Sequence, residues 1–493
     1  MKRHPAVRAI LLLSSILTIT LLSKSSPLYP LNDWVDANCF LTTGKSILAG
    51  NVLYRDVYEQ KGPVLYFLHA LAAIISDSSF LGVWILEILS CFTFTLFGWQ
   101  LVARRCSNAS IFVIPGLLLL TFSTISFASG DSAEEFSLPL ITCSFVAGMQ
   151  TDWKHELPST RQTILIGMTC ALVFWIKYTL CGFYIALILF VLVAAIYQKK
   201  MSSIPSLALA FLGGFLLASL PVMIYFIWHH ALSDLWSAYF LNNIFLYSPA
   251  SGGRGGSRGA SRGGMLSSIL SFASMNPVFV ILFLLGLVYA LWRHRMEALF
   301  LLVSLTGCLP FIALGTRPYP YYAFILAAFT VYGWIPVCRL LDVLPLLHFS
   351  LRSLLSVVLS GLMGIYAFQA SLNTYLLLTP RDEMPQYQFA QIIQESENPT
   401  LLNYGFLDGG FYTAAGLTPA SRFFCKLNLN LPEMNHALSE SVMQGKTTYV
   451  VTRGRQLDKQ APYELVSSAT GLYQSNAESP RPFTYYLYRL ISP

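Results

Sequence analysis

Long apolar runs, broken by short polar segments, set the pattern of most of this chain. They lie at about 8–24, 80–103, 109–128, 135–150, 162–179, 181–197, 205–228, 275–292, 297–315, 321–338 and 353–377. A helix needs roughly 20 apolar residues to cross the hydrocarbon core of a bilayer, and most of these runs come close to that length. The pattern predicts an all-α polytopic membrane domain of about eleven transmembrane helices over residues 1–378. A transmembrane β-barrel would alternate with period two in shorter segments instead. The apolar stretch at 62–76 is too short to span and predicts a juxtamembrane helix. From 379 to 493 the long runs vanish. There MPQYQFAQIIQES has helical periodicity, and TLLNYGF, TTYVVTR and TYYLYRL read as strands. A small C-terminal α/β domain follows from this pattern.

Charge then orients the spans. The start, MKRHPAVRAILLLSSILTITLL, is basic and then apolar, with no A-x-A-like cleavage site behind it. It reads as an uncleaved signal anchor, with a cleaved signal peptide as the alternative. Arg104 and Arg105, Lys154 and Arg161, Lys199 and Lys200, Arg293 and Arg295, and Arg339 and Arg352 fall in alternate connections. The positive-inside rule places these on the cytoplasmic side. The expectation is a multi-pass protein of the plasma or inner membrane, N-terminus cytoplasmic, C-terminal domain extracytoplasmic or periplasmic. Outside then lie the first loop (25–79), a Gly/Arg/Ser loop (248–265) and the C-terminal domain. Arg254, Arg258 and Arg262 recur every four residues in that second loop, which reads as a flexible linker or as a basic lid.

Composition agrees. Of 493 residues, 55% are hydrophobic and 11% charged, against about 25% charged in soluble chains. The net charge of +7 follows from the basic connections and gives no reason to expect nucleic acid. Nine cysteines form no CxxC, and eight histidines form no cluster, so no metal site is predicted. Only Cys39 and Cys425 fall in segments placed outside.

Chemistry concentrates in the first loop, NDWVDANCFLTTGKSILAGNVLYRDVYEQKGPVLYF. It carries Asp33, Asp36, Lys45, Arg55, Asp56, Glu59 and Lys61 between two apolar stretches. Asp36 can act as a base or simply cap the helix that follows. Asp56 and Glu59 can face a polar substrate or pair with Arg55 and Lys61 as a solvated turn. Gly62-Pro63 punctuates a helix start. Glu87 and Lys177 lie in predicted spans, where ionisable groups face a partner or a polar cavity; a structural ion pair between helices is the plain reading. Asp131, Glu134 and Glu135, in GDSAEEF, read as solvated at a membrane edge. Tyr319, Tyr321 and Tyr322 read as an interfacial aromatic belt.

These residues resemble a family. DANCFLTTGKSILAGNVLYRDVYEQKGPVLYFLHAL is similar to the first outer loop of the GT-C membrane glycosyltransferases. The similarity is to the bacterial branch that includes protein O-mannosyltransferases and the aminoarabinose transferase of lipid A. Asp36, Gly50, Tyr54, Asp56, Lys61, Gly62 and Pro63 match its motif positions. GDSAEEFSLPL, FWIKYTL, GTRPYPYYAFILAAF and NYGFLDGGFYTAAGLTPASRFF resemble later family segments more loosely. Relatives often carry Asp-Glu where this chain has Asp36-Ala37, and many have His at the place of Tyr321.

The resemblance implies transfer of a hexosyl or pentosyl unit from a polyprenyl-phosphate donor, with inversion at the sugar carbon. It implies Asp36 as general base, with Asp33 as the alternate. Lys61, Arg55 and Arg317 are expected to hold the donor phosphate. Tyr54, Asp56, Glu59, Glu134, Glu135 and Tyr322 are expected in the acceptor or sugar pocket. The expected partners are membrane lipids, the lipid-linked sugar and a glycan, lipid or protein acceptor, with the chain itself a monomer. No cofactor is predicted, and divalent-metal dependence, sugar and acceptor stay open. A transporter or flippase of lipid-linked or anionic substrates, or a non-catalytic membrane assembly protein, are the other classes.

Overall fold

The computed structural model describes residues 5–106, 110–246, 264–313, 318–343, 349–474 and 479–491. Arg317 and the arginines at 254, 258 and 262 lie outside these described residues. The first half holds α1 (Pro5–Leu22), α2 (Val35–Leu48), α3 (Pro63–Ile75), α4 (Leu81–Ala103), α5 (Ile114–Phe122), α6 (Ala133–Met149), α7 (Thr160–Lys177), α8 (Gly182–Tyr197) and α9 (Ile204–Trp228). Short α10 (Leu232–Leu235) and α11 (Asn242–Phe245) flank a π-turn at Trp236–Leu241. Then come α12 (Met265–Met275), α13 (Pro277–Arg293), α14 (Arg295–Ala313), α15 (Ala327–Thr330), α16 (Trp334–Val343) and α17 (Phe349–Ala370).

Among the described residues, six helical stretches are long and apolar enough to cross a membrane. They begin at Pro5, Leu81, Thr160, Met201, Arg295 and Pro320. A seventh is the pair α12–α13, bent by 94°. The expected runs thus meet helix throughout, but not always as one uninterrupted span. The run at 109–128 divides into a 3-10 turn at Ser110–Val113, the nine-residue α5, and turns from Ser123 onward. The run at 321–338 opens as a seven-residue 3-10 helix, Pro320–Leu326. Outward-facing leucines and isoleucines such as Leu209, Leu217, Ile224 and Ile281 give the bundle an apolar surface suited to lipid.

The C-terminal unit has α18 (Pro385–Gln394), α19 (Phe411–Ala415) and α20 (Pro432–Met443) around β1 (Leu401–Asn403), β2 (Tyr449–Arg453), β3 (Tyr463–Tyr473) and β4 (Arg481–Leu490). The sheet order is β1-β2-β4-β3, with β1 parallel to β2 and the other pairs antiparallel. Three strands and α18 fall where the sequence pattern puts them; β3 does not, because YELVSSATGLY has no apolar alternation and its side chains are largely open.

This unit sits on the loop between α1 and α4. Tyr387 Oη donates to the Pro30 carbonyl at 2.9 Å, and the Leu378 N–H to that of Leu28 at 3.1 Å. The Tyr58 N–H donates to the Arg422 carbonyl at 2.9 Å, and Arg422 Nε returns a bond to the Tyr54 carbonyl at 3.1 Å. The first loop is therefore sandwiched between the helical bundle and the sheet unit, with two short helices of its own.

Candidate functional site

Asp36 occupies the first turn of α2. Trp34 is the N-cap residue and makes no side-chain cap, so Asp36 is not the cap that its position suggested. Instead its Oδ2 lies 4.0 Å from Lys61 Nζ and 3.5 Å from Tyr321 Oη. Its side chain is 15% exposed and that of Lys61 13%, so both can still meet a ligand. Asp36 stands at the N-terminal, positive end of the α2 dipole.

Lys61 is aimed by its own backbone. Its N–H donates to Glu59 Oε2 at 3.0 Å, and its carbonyl accepts from Tyr54 Oη at 2.6 Å. Tyr54 adopts φ 69°, is fully buried, and stacks on Phe226 at 5.7 Å. A non-glycine residue in the left-handed region is held there only by its surroundings. Gly62 follows because nothing larger fits: a Cβ there would lie 2.0 Å from the Trp175 carbonyl oxygen. Its N–H donates to the Ile176 carbonyl at 3.0 Å, and Pro63 begins α3. Lys-Gly-Pro is thus a hinge-free joint between the first loop and the end of α7.

The end of α7 brings a second lysine. Lys177 Nζ lies 2.6 Å from Glu134 Oε1 and sits over the Tyr322 ring, 3.7 Å from its centroid. It also faces the Tyr321 ring at 5.8 Å. Tyr321 and Tyr322 pack edge-to-face and are nearly buried. They form a wall between Lys177 and Asp36, not the aromatic belt that their sequence context predicts. Of the two ionisable groups expected within spans, Lys177 makes an ion pair between helices, to Glu134 of α6, while Glu87 accepts from Ser23 Oγ at 2.9 Å.

Asp33 is already occupied. Lys24 Nζ lies 2.6 Å from Oδ1, Tyr375 Oη donates to Oδ2 at 2.7 Å, and the carboxylate is 2% exposed. Lys24, the last residue of the first apolar run, had no place among the expected site residues.

Several expected residues support the site from outside it. Arg55 spends its guanidinium on Asp56 at 3.2 Å and on the His229 carbonyl at 3.0 Å, on an exposed turn. Asp56 Oδ2 also accepts the Val52 N–H at 2.8 Å. These two form the solvated charged turn. Glu59 is buried and holds Lys61; burial pushes its carboxyl above the ordinary range, and nearby Lys61 opposes that.

The acids of GDSAEEF are not solvated, contrary to the expectation. Asp131, Glu134 and Glu135 are at most 1% exposed. The Asp131 N–H is shared by Glu87 Oε1 and Glu135 Oε2, each at 2.8 Å, and His69 Nε2 lies 2.8 Å from Asp131 Oδ1. Glu135 therefore fixes the loop, and Glu134 alone turns to Lys177. Among the described residues, no group of three or more His, Cys, Asp or Glu is placed to hold a metal ion.

The site thus gathers two cations, an accessible carboxylate and two tyrosines at one end of an apolar bundle. Two solved structures share this architecture. ArnT from Cupriavidus metallidurans in the apo state aligns over 98% of this chain and 97% of its own, at 11% identity and a TM-score of 0.53. The same protein bound to undecaprenyl phosphate aligns over the same shares at 12% identity, again with a TM-score of 0.53. The chain therefore shares the overall fold of these ArnT structures. No protein-family model and no curated protein matches it.

Proposed function

We propose that this GT-C-like chain is an integral membrane glycosyltransferase that moves a sugar from a polyprenyl-phosphate donor to an acceptor at the outer membrane face. The observation that carries the reading is the facing of Asp36 and Lys61 at 4.0 Å, with Lys177 behind the Tyr321–Tyr322 wall. A lipid-linked sugar is an anionic headgroup on a long apolar tail. Such a molecule needs an apolar surface for the tail and cations for the phosphate, side by side. The undecaprenyl phosphate bound by the ArnT neighbour is a ligand of this class.

In the proposed reaction, Asp36 accepts the proton of an acceptor hydroxyl or amine. The freed oxygen or nitrogen attacks the sugar carbon from the side opposite the phosphate. The bond from that carbon to the phosphate oxygen breaks, and the configuration inverts. The polyprenyl phosphate leaves with the electron pair, and Lys61 and Lys177 stabilise its growing charge. Lys177 enters this scheme in place of Arg55, whose guanidinium is committed elsewhere. Glu134 balances Lys177, and Glu59 sets the Lys61 backbone. Inversion, the placement of the C-terminal unit outside, and eleven spans belong to the same proposal. The transporter reading gives no role to an accessible carboxylate beside a lysine or to a sheet unit seated on their loop.

Mass spectrometry of envelope glycans and glycolipids, with and without the protein, tests the reading. One acceptor class should lose the mass of a single sugar unit in its absence. Identical spectra together with altered distribution of a lipid-linked sugar across the membrane would favour a transporter.

A further inference from the structure

Two of the nine cysteines stand apart from the rest. Cys39 is on α2, three residues after Asp36, and Cys425 is in the C-terminal unit before α20. Their sulfurs lie 3.8 Å apart although 386 positions separate them. Both are buried.

The surrounding contacts hold the two sulfurs in register. Asn38, Cys39, Thr42 and Lys45 form one face of α2, spaced as a helix requires. Thr42 Oγ1 donates to Asp408 Oδ2 at 2.6 Å, and Lys45 Nζ reaches the Tyr412 carbonyl at 3.5 Å. Asp408 also accepts from Asn403 Nδ2 and the Gly410 N–H, both at 2.9 Å. Next to Cys425, the Phe424 carbonyl accepts the Asn403 N–H at 3.2 Å. Asp36 lies one turn before Cys39 on α2, and at the neighbouring Phe40 the Lys61 Nζ sits 5.8 Å from the ring centroid. One helix therefore presents its acid to the site and its thiol to the sheet unit.

We propose that Cys39 and Cys425 form a disulfide that fastens the Asp36 helix to the C-terminal unit. The proposal rests on the outer placement of both segments in the functional reading, since disulfides persist in oxidising compartments. The two thiols give up two protons and two electrons to the disulfide of a thiol-oxidising protein, which leaves as a dithiol. A mixed disulfide with one cysteine forms first, and the second sulfur displaces the oxidant from it. The attacking species is a thiolate. Burial pushes both thiols up, so the bond forms while the C-terminal unit is still closing over α2. Once made, it ties together segments at opposite ends of the chain and limits how far α2 can move from Lys61.

The full-length protein, exported by its own route and denatured in the presence of N-ethylmaleimide, provides the test. Without reductant, seven of the nine cysteines should be alkylated, and a tryptic species should link the Cys39 and Cys425 peptides. Prior reduction should raise the count to nine. In Cys39→Ser, eight should be alkylated with or without reductant, because Cys425 has lost its partner. Nine alkylated cysteines in the unreduced parent, or a linked peptide with another partner, would overturn the pairing. A reporter fused after Arg381 separates the two levels of the claim. A cytoplasmic signal overturns the outer placement itself; an outer signal with nine free thiols overturns only the disulfide.

Discussion

Lys61 shows how a long, flexible side chain is given a fixed origin. Its N–H and carbonyl are bonded by Glu59 and Tyr54, which fixes where the methylene stem starts. A charge-assisted bond to phosphate contributes about 1.5–3 kcal/mol, or about 10- to 150-fold in affinity. Lys61→Ala should weaken binding of a labelled polyprenyl phosphate by that factor in detergent solution, and Lys177→Ala by a comparable one. Arg55→Ala should change it by less than about threefold, since an exposed pair with Asp56 contributes little. Parental affinity in both lysine variants would remove the anchoring scheme. Asp36 differs from Asp33 by the same logic of occupancy: Asp33 is buried between Lys24 and Tyr375, whereas Asp36 keeps an approachable edge.

At the scale of elements, the joint between α3 and α7 decides where Lys61 stands. Gly62→Ala pushes a methyl into the Trp175 carbonyl, and only backbone movement relieves it. Overpacking of this kind costs about 1–3 kcal/mol, so thermal unfolding in detergent should show a lower midpoint, and turnover should fall as Lys61 shifts. Gly213→Ala, on an open stretch of α9 with nothing within 4 Å, should be neutral or slightly stabilising. An unchanged midpoint in Gly62→Ala would mean that this close approach does not position the loop. Lys-Gly-Pro was legible in the sequence as a helix start; the reason for its glycine was not, because Trp175 is over a hundred residues away. The apolar runs announced the helices well, since burial in lipid and burial in protein use the same residues. That ambiguity is also why they misjudged continuity: α5 is only nine residues long. The GDSAEEF acids were misread for a related reason. A sequence shows three carboxylates near a membrane edge, but not the His69 that meets Asp131, the Lys177 that meets Glu134 or the Asp131 N–H turned onto Glu135.

The whole molecule has two unlike ends. At one, Arg105 pairs with Glu297 at 3.0 Å and Lys200 caps the His155 carbonyl, contacts that join helix ends. At the other, the first loop, the ends of α6 and α7, the 3-10 turn after Tyr319 and the sheet unit converge on Asp36. The charged first loop pointed to that end; the convergence of 134, 177 and 321 on it needed the fold. The central claim is that Asp36 is the base, and Asp36→Asn tests it most directly. Asparagine keeps the size and the place in α2 but does not take up the acceptor's proton. With a polyprenyl-phosphate sugar and acceptor supplied, turnover should fall by about two to four orders of magnitude, while expression and polyprenyl-phosphate binding stay near parental. Near-parental turnover in Asp36→Asn, with a folded Asp33→Asn inactive, would contradict the account and move the base to Asp33.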